Sequence, residues 1–113
     1  MAKAKKPKKA VARIALTTAN ASRIIRRLAQ DSNAVYFTDH ASKRMAQRKV
    51  TRPQVMECLM KGAITEGPAL DIKGCWKVTV SRAVCGDGID VVLALDWDAE
   101  SASYVVVVTV IRD

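Results

Sequence analysis

Residues 75–97 read CWKVTVSRAVCGDGIDVVLALDW. Trp76, Val78 and Val80 alternate with Lys77, Thr79 and Ser81, and Ile89, Val91, Leu93, Leu95 and Trp97 line one side of the second half. A period of two is that of a strand with one buried face. The stretch is therefore expected to be two antiparallel strands joined at GDG, residues 86–88, a turn signal. DAESAS follows as a second turn, and then YVVVVTVI at residues 104–111. That run is apolar on both faces, the pattern of an interior strand that needs cover on both sides. AITEG, residues 63–67, adds a short first strand, so the sheet is expected to have three to four antiparallel strands.

Upstream the period changes. In TTANASRIIRRLAQDSN, residues 17–33, Ile24, Ile25 and Leu28 form an apolar stripe, while Arg23, Arg26 and Arg27 fall elsewhere on the surface. A helix is expected over about 18–30, capped by Thr17 or Thr18 and ended by Asp31-Ser-Asn33. AVYF, residues 34–37, is a short extended stretch. A second helix over about 39–48 starts from Thr38 or Asp39 as cap. Thr51-Arg-Pro-Gln54 has the form of a capping box with proline in the first turn, and Gly62 is placed to end that third helix as its C′ residue. Helices first and a meander after give an α+β fold, with N-terminal helices packed on an antiparallel sheet.

The chain has 113 residues, enough for one domain. Residues 1–13 are read as a disordered basic arm and residues 14–113 as a single α+β domain. Residues 1–52 hold fourteen Lys and Arg against two acids, a balance of +12, and residues 53–113 hold five against nine, a balance of −4. A front half this basic points to a polyanionic partner, most simply RNA or DNA. Lys3, Lys5, Lys6, Lys8, Lys9, Arg23, Arg26, Arg27 and Lys43 are the candidate nucleic-acid contacts. The alternative is a solubilising arm on ordinary solvated helices. No apolar run is long enough to span a membrane, and the basic start lacks the apolar segment of a secretory signal, so a cytoplasmic location is expected. Cys58, Cys75 and Cys85 have no metal-ligand spacing. A straight strand between Cys75 and Cys85 would hold them roughly 30 Å apart, so all three are read as structural or incidental thiols.

FTDHASKRMAQRK, residues 37–49, contains His40, the one histidine of the chain. On a helix, His40, Arg44 and Arg48 are spaced i, i+4, i+8 and share a side bordered by Lys43 and Gln47, while Ala41 and Met45 fall opposite. This set suits a phosphodiester. Imidazole exchanges a proton near neutral pH, and guanidinium offers a fixed fork to phosphate oxygens. His40 is the candidate base. No second histidine is available as the acid, so arginine, lysine or water has to serve. Carboxylates near His40 are too few for a metal site, and no cofactor is expected. The bland alternative is a histidine that hydrogen-bonds locally on a solvated face.

The stretch FTDHASKRMAQRKVTRPQVMECLMKGAI resembles the signature of the bacterial domain-of-unknown-function family four-two-five-eight. Its members carry Thr-x-His-Ala-x-x-Arg-Met-x-x-Arg, then a hydrophobic residue and a capped helix ending in glycine. Here these are Thr38, His40, Ala41, Arg44, Met45 and Arg48, then Val50 and Gly62, and the closing strand is matched by Val107–Val110. The resemblance covers about residues 35–111. Where the family has glycine after the second arginine this chain has Lys49, which implies a different turn there. The family is similar in pattern to the RelE and barnase–EndoU–colicin group of small metal-independent ribonucleases, many of them toxins. That likeness implies a site between helices and sheet where His40, Arg44, Arg48 and Thr109 converge, with Thr109 on the strand face of Val105 and Val107. The expected function is a toxin-like endoribonuclease. The alternatives are a non-catalytic nucleic-acid-binding or regulatory protein of the same fold, and a module whose basic half docks an acidic, antitoxin-like partner.

Overall fold

A computed structural model describes residues 16–71, 74–84, 87–97 and 102–112. The arm with Lys3, Lys5, Lys6, Lys8 and Lys9 lies outside them. Three helices precede the main strands: α1 (Thr18–Ala29), α2 (Asp39–Arg48) and α3 (Arg52–Lys61). The strands are β1 (Val35–Phe37), β2 (Ala63–Leu70), β3 (Trp76–Val84), β4 (Asp87–Trp97) and β5 (Ala102–Arg112). They form one five-stranded sheet in the order β1-β5-β4-β3-β2. The fold is α+β as expected, with one more strand and a mixed sheet. The extra strand is β1, the AVYF stretch, which pairs parallel to β5 through Val35, Tyr36 and Phe37 opposite Val105, Val106 and Val107.

Each helix start is fixed by a threonine hydroxyl. Thr17 Oγ1 accepts from the Asn20 amide at 3.1 Å, and Thr38 Oγ1 accepts from the Ala41 amide at 2.9 Å. Thr51 caps α3 in a full capping box: its hydroxyl accepts from the Gln54 amide at 3.3 Å, and Gln54 Oε1 accepts from the Thr51 amide at 2.8 Å. These bonds occupy amide donors that a helix N-terminus otherwise leaves unpaired.

One face of the sheet makes the core. Trp76, Val78 and Val80 on β3, Ile89, Val91, Leu93 and Leu95 on β4, and Val105, Val107 and Val110 on β5 are all buried. They pack beneath Ile24, Ile25 and Leu28 of α1 and Val55, Cys58 and Leu59 of α3. Cys58 is fully buried, and its thiol donates toward the carbonyls of Val80 at 3.5 Å and Ile89 at 3.8 Å. Burial, with the Asp90 charge adding to it, pushes this thiol up to about 11, which makes it an inert core group. Cys75 is half-exposed, and Cys85 lies outside the described residues.

Three expectations change. Asp87 and Gly88 do not turn but already pair with Val84 and Ala83 as the first residues of β4. The second face of β5 is left uncovered by any described element: Val106 and Val108 are half-buried, and Tyr104 and Ile111 are exposed. Its strongly apolar sequence reflects an interior place in the sheet, not helices on both sides. The third change is the alternation of β5. Val92 pairs with Thr109 but Leu93 pairs with Val107, so Val108 is an extra, bulged residue. Beyond it the pattern slips by one, Val110 takes the core position, and Thr109 stands opposite Val92 on the far face.

Gly62 does end α3, but not in a left-handed conformation. Its backbone is extended, at φ −77° and ψ 178°. A Cβ there would stand 2.6 Å from the Cys58 carbonyl oxygen and 2.7 Å from that of Ser81. Glycine is needed because α3 hands directly into β2 against β3, with no room for a side chain. The left-handed position is Lys49, at φ 58° and ψ 42°. The turn after α2 thus keeps the shape that a glycine would give, and lysine carries the strain. Gly62→Ala is expected to lower unfolding stability by about 2 kcal/mol through forced displacement of backbone. Lys49→Gly is expected to raise it by about 1 kcal/mol by removing the Cβ clash of the left-handed region. Urea unfolding of the two variants beside the parent chain checks both signs.

Candidate nucleic-acid interface

β1 pairs with β5 only as far as Phe37, opposite Val107. Past that point β5 has an unpaired edge, and α2 packs against it. The join is made by Thr38. Its amide donates to the Val107 carbonyl at 3.1 Å, and its hydroxyl donates to the Val108 carbonyl at 3.1 Å while capping the helix. At the other end, Arg112 Nη1 donates to the carbonyls of Arg48 at 3.3 Å and Lys49 at 2.8 Å. Ten helical residues rise about 15 Å, and four strand steps from Val108 to Arg112 cover about 13 Å. The helix therefore runs alongside the strand and is held at both ends. Ala41 is buried against the sheet, Met45 packs on the core, and Val50 closes the turn with its amide on the Met45 carbonyl at 2.9 Å.

His40, Arg44 and Arg48 lie along this helix in a row that winds. Each step of four residues advances about 40° past a full turn, so the row drifts toward the buried side marked by Ala41 and Met45. Exposure follows. His40 is exposed, Arg44 is half-buried, and Arg48 is half-buried with its Nε fully out of solvent and lacking a hydrogen-bond partner. Arg44 joins the row together: its Nε donates to His40 Nε2 at 3.5 Å, and its Nη1 donates to Gln47 Oε1 at 3.0 Å. Nε2 thus faces the guanidinium. The ion pairs among the described residues are Glu57 with Lys61 at 3.5 Å and Glu57 with Arg82 at 3.7 Å, both away from α2. Among the described residues no carboxylate lies within that distance of Lys43, Arg44 or Arg48.

The other expected contacts disperse. Arg26 donates to the Gly62 carbonyl at 3.3 Å and Arg23 to Asn20 Oδ1 at 2.8 Å, so two of the three α1 arginines serve the fold locally. Arg27 and Lys43 are exposed. α1 packs chiefly on α3, β2 and β5. The structure brings His40, Arg44 and Gln47 into one bonded chain, with Arg48 a turn further on. Thr109 makes no hydrogen bond with Arg44 or Arg48 among the described residues, and the bulge puts it on the face opposite to Val105 and Val107. Two residues escaped the reading of the sequence. Arg112 clamps the end of α2, and a single cation closing a valine-rich strand was the available sign. Arg52 lies over the Phe37 ring at 4.5 Å from its centroid and adds an exposed cation beside the start of α3. Among the described residues no three His, Cys, Asp or Glu side chains are grouped to hold a metal ion, and no helix is long and apolar enough to cross a membrane.

The fold and this row define a small α+β domain with a cationic helix laid along a sheet edge. Residues 37–112 match the family described as Domain of unknown function (DUF4258), and the chain belongs to it. No curated protein and no solved structure matches the chain. The matched part begins at Phe37, the last residue of β1, yet α1 upstream of it supplies Ala21, Ile24, Ile25, Leu28 and Ala29 to the core. The preceding helix is thus part of the same folding unit.

Thr38 ties the cap and the edge together through one hydroxyl. Thr38→Val keeps the shape and removes both bonds, and is expected to cost about 1–2 kcal/mol. Chemical denaturation of the variant measures the loss.

Proposed function

We propose that this chain binds RNA and cleaves its phosphodiester bonds without a metal ion, in the manner of the RelE- and barnase-like ribonucleases. The observation that carries the reading is the bonded His40–Arg44–Gln47 chain on a clamped helix, whose cations form no ion pair among the described residues. In the reaction, the His40 Nε2 lone pair takes the proton of a ribose 2′-hydroxyl. The 2′-oxygen then bonds to phosphorus as the bond to the 5′-oxygen breaks, and the 5′-oxygen takes a proton from water or Lys43. The products are a 2′,3′-cyclic phosphate and a 5′-hydroxyl. Arg44 and Arg48 hold the phosphate and offset its growing negative charge. The 3.5 Å contact between Arg44 Nε and His40 Nε2 is long for a hydrogen bond, so an arriving phosphate competes well for that donor and frees the base. Thr109, expected to orient one of the two arginines, stands on the far face opposite Val92 and takes no part in this scheme.

A second reading keeps the binding and drops the chemistry. It is favoured by the exposure of His40, which leaves the base in water, and by the lack of a built acid. An acidic protein covering the same cations would be an inhibitor under either reading.

The full-length chain is expected to cut single-stranded RNA in EDTA, leaving cyclic phosphate ends. His40→Ala is expected to lower the rate by about 10²–10⁴-fold while binding persists. Binding through Lys43, Arg44 and Arg48 gives a slope of about −2 in log affinity against log salt for a single strand. Tight, salt-sensitive binding with no cleavage by parent or variant selects the second reading, and equal cleavage by both removes His40 from the mechanism.

A further inference from the structure

The far face of the sheet carries an aromatic pair that the cleavage chemistry does not use. Tyr36 of β1 and Tyr104 of β5 are 55% and 37% exposed. Their ring centroids stand 5.6 Å apart with planes at 79°, an edge-to-face arrangement. They are diagonal neighbours across the parallel pair, since Tyr36 lies opposite Val106. Tyr104 stands opposite Asp96 of β4 in the strand register. The ring contact orients the two side chains against each other, and its edge-to-face packing leaves ring surface open to solvent.

Its position relative to the α2 row is limited by the chain itself. Tyr36 is four residues before His40, so the two Cα atoms are at most about 14 Å apart. That is a distance an unpaired RNA strand covers in about two nucleotides. We propose that Tyr36 and Tyr104 form a base-stacking subsite that takes one unpaired base of a single-stranded RNA whose phosphate is held by Arg44 and Arg48. The inference rests on the RNA reading above and adds to it the form of the substrate. Every base offers a π-face to an aromatic ring without a sequence requirement, whereas bases in a duplex are stacked inside and out of reach. Charge fixes the direction of the strand. Asp90 and Asp96 stand on this face and repel phosphate, while the cations line α2, so the backbone follows the helix and only the base turns onto the sheet.

The test is affinity, by fluorescence anisotropy, of the full-length chain for short 2′-deoxy-blocked oligonucleotides in which a single abasic site is moved along the strand. One position is expected to lower affinity by about tenfold, and a duplex of the same sequence is expected to bind more weakly than the single strand. Tyr36→Ala is expected to lose the same factor on the intact strand and to be insensitive to the abasic site, and Tyr36→Phe to behave as the parent. Intact and abasic strands bound equally by the parent chain overturn the subsite and leave the phosphate reading standing. No binding of any oligonucleotide overturns both. The abasic scan uses the unaltered protein, so the result does not depend on a variant folding.

Discussion

β5 is far longer than the three-residue β1 beside it, so most of that side of β5 would be an edge of unpaired amides and carbonyls, and this protein closes that edge with two different devices. β1 pairs with the first part of β5, and α2 lies along the rest, stapled where the two meet by the Thr38 bonds to Val107 and Val108. Covering an edge protects it from pairing with another chain. Here it also sets the direction of α2, because the helix is held by its cap at one end and by Arg112 on its last carbonyls at the other. Which side chains face outward is then decided by helical geometry alone. The bulge at Val108 belongs to the same device, since it lies where the edge changes partner, and bulges commonly mark such changes.

The charge asymmetry of the sequence becomes spatial in the fold. The basic front half supplies α1, α2 and the start of α3, and the more acidic back half supplies most of the sheet, with Asp90 and Asp96 on its far face. The one carboxylate that forms ion pairs among the described residues is Glu57, which engages Lys61 and Arg82 rather than the α2 row. Among the described residues Lys43, Arg44 and Arg48 form no ion pair, and Arg44 instead has imidazole and amide neighbours in His40 and Gln47. Such an arrangement is suited to an exchangeable ligand, because no ion pair has to break before it binds.

The helices were legible because their signals are local. Thr17, Thr38 and Thr51 act as caps within three residues of their partners, and a capping box is visible as Thr51 and Gln54. The β3–β4 hairpin was legible from its alternation. What the sequence hid is non-local or lacks a period. β1 has three residues, too few to show a pattern, and its partner lies 70 positions away. A strand of four consecutive valines gives no register, so the bulge at Val108 and the resulting place of Thr109 were invisible. Gly62 was recognised as a helix stop for the wrong reason: crowding by Cys58 and Ser81 carbonyls requires glycine there, and not a left-handed turn. At the site, the His40–Arg44 contact followed from the spacing, whereas the clamp by Arg112 depends on two chain ends meeting.

The central claim is that α2 and the outer edge of β5 form one mechanical unit, so that His40, Arg44 and Arg48 are presented on a fixed helix. Native-state amide hydrogen exchange tests this directly. The amides of α2 after its first turn, the Thr38 amide and the interior amides of β5 are predicted to be protected together, with similar free energies of opening. Exchange of the α2 amides far faster than those of β5 would show a helix that opens on its own, and the row of imidazole and guanidinium groups would then have no fixed geometry to offer a phosphate.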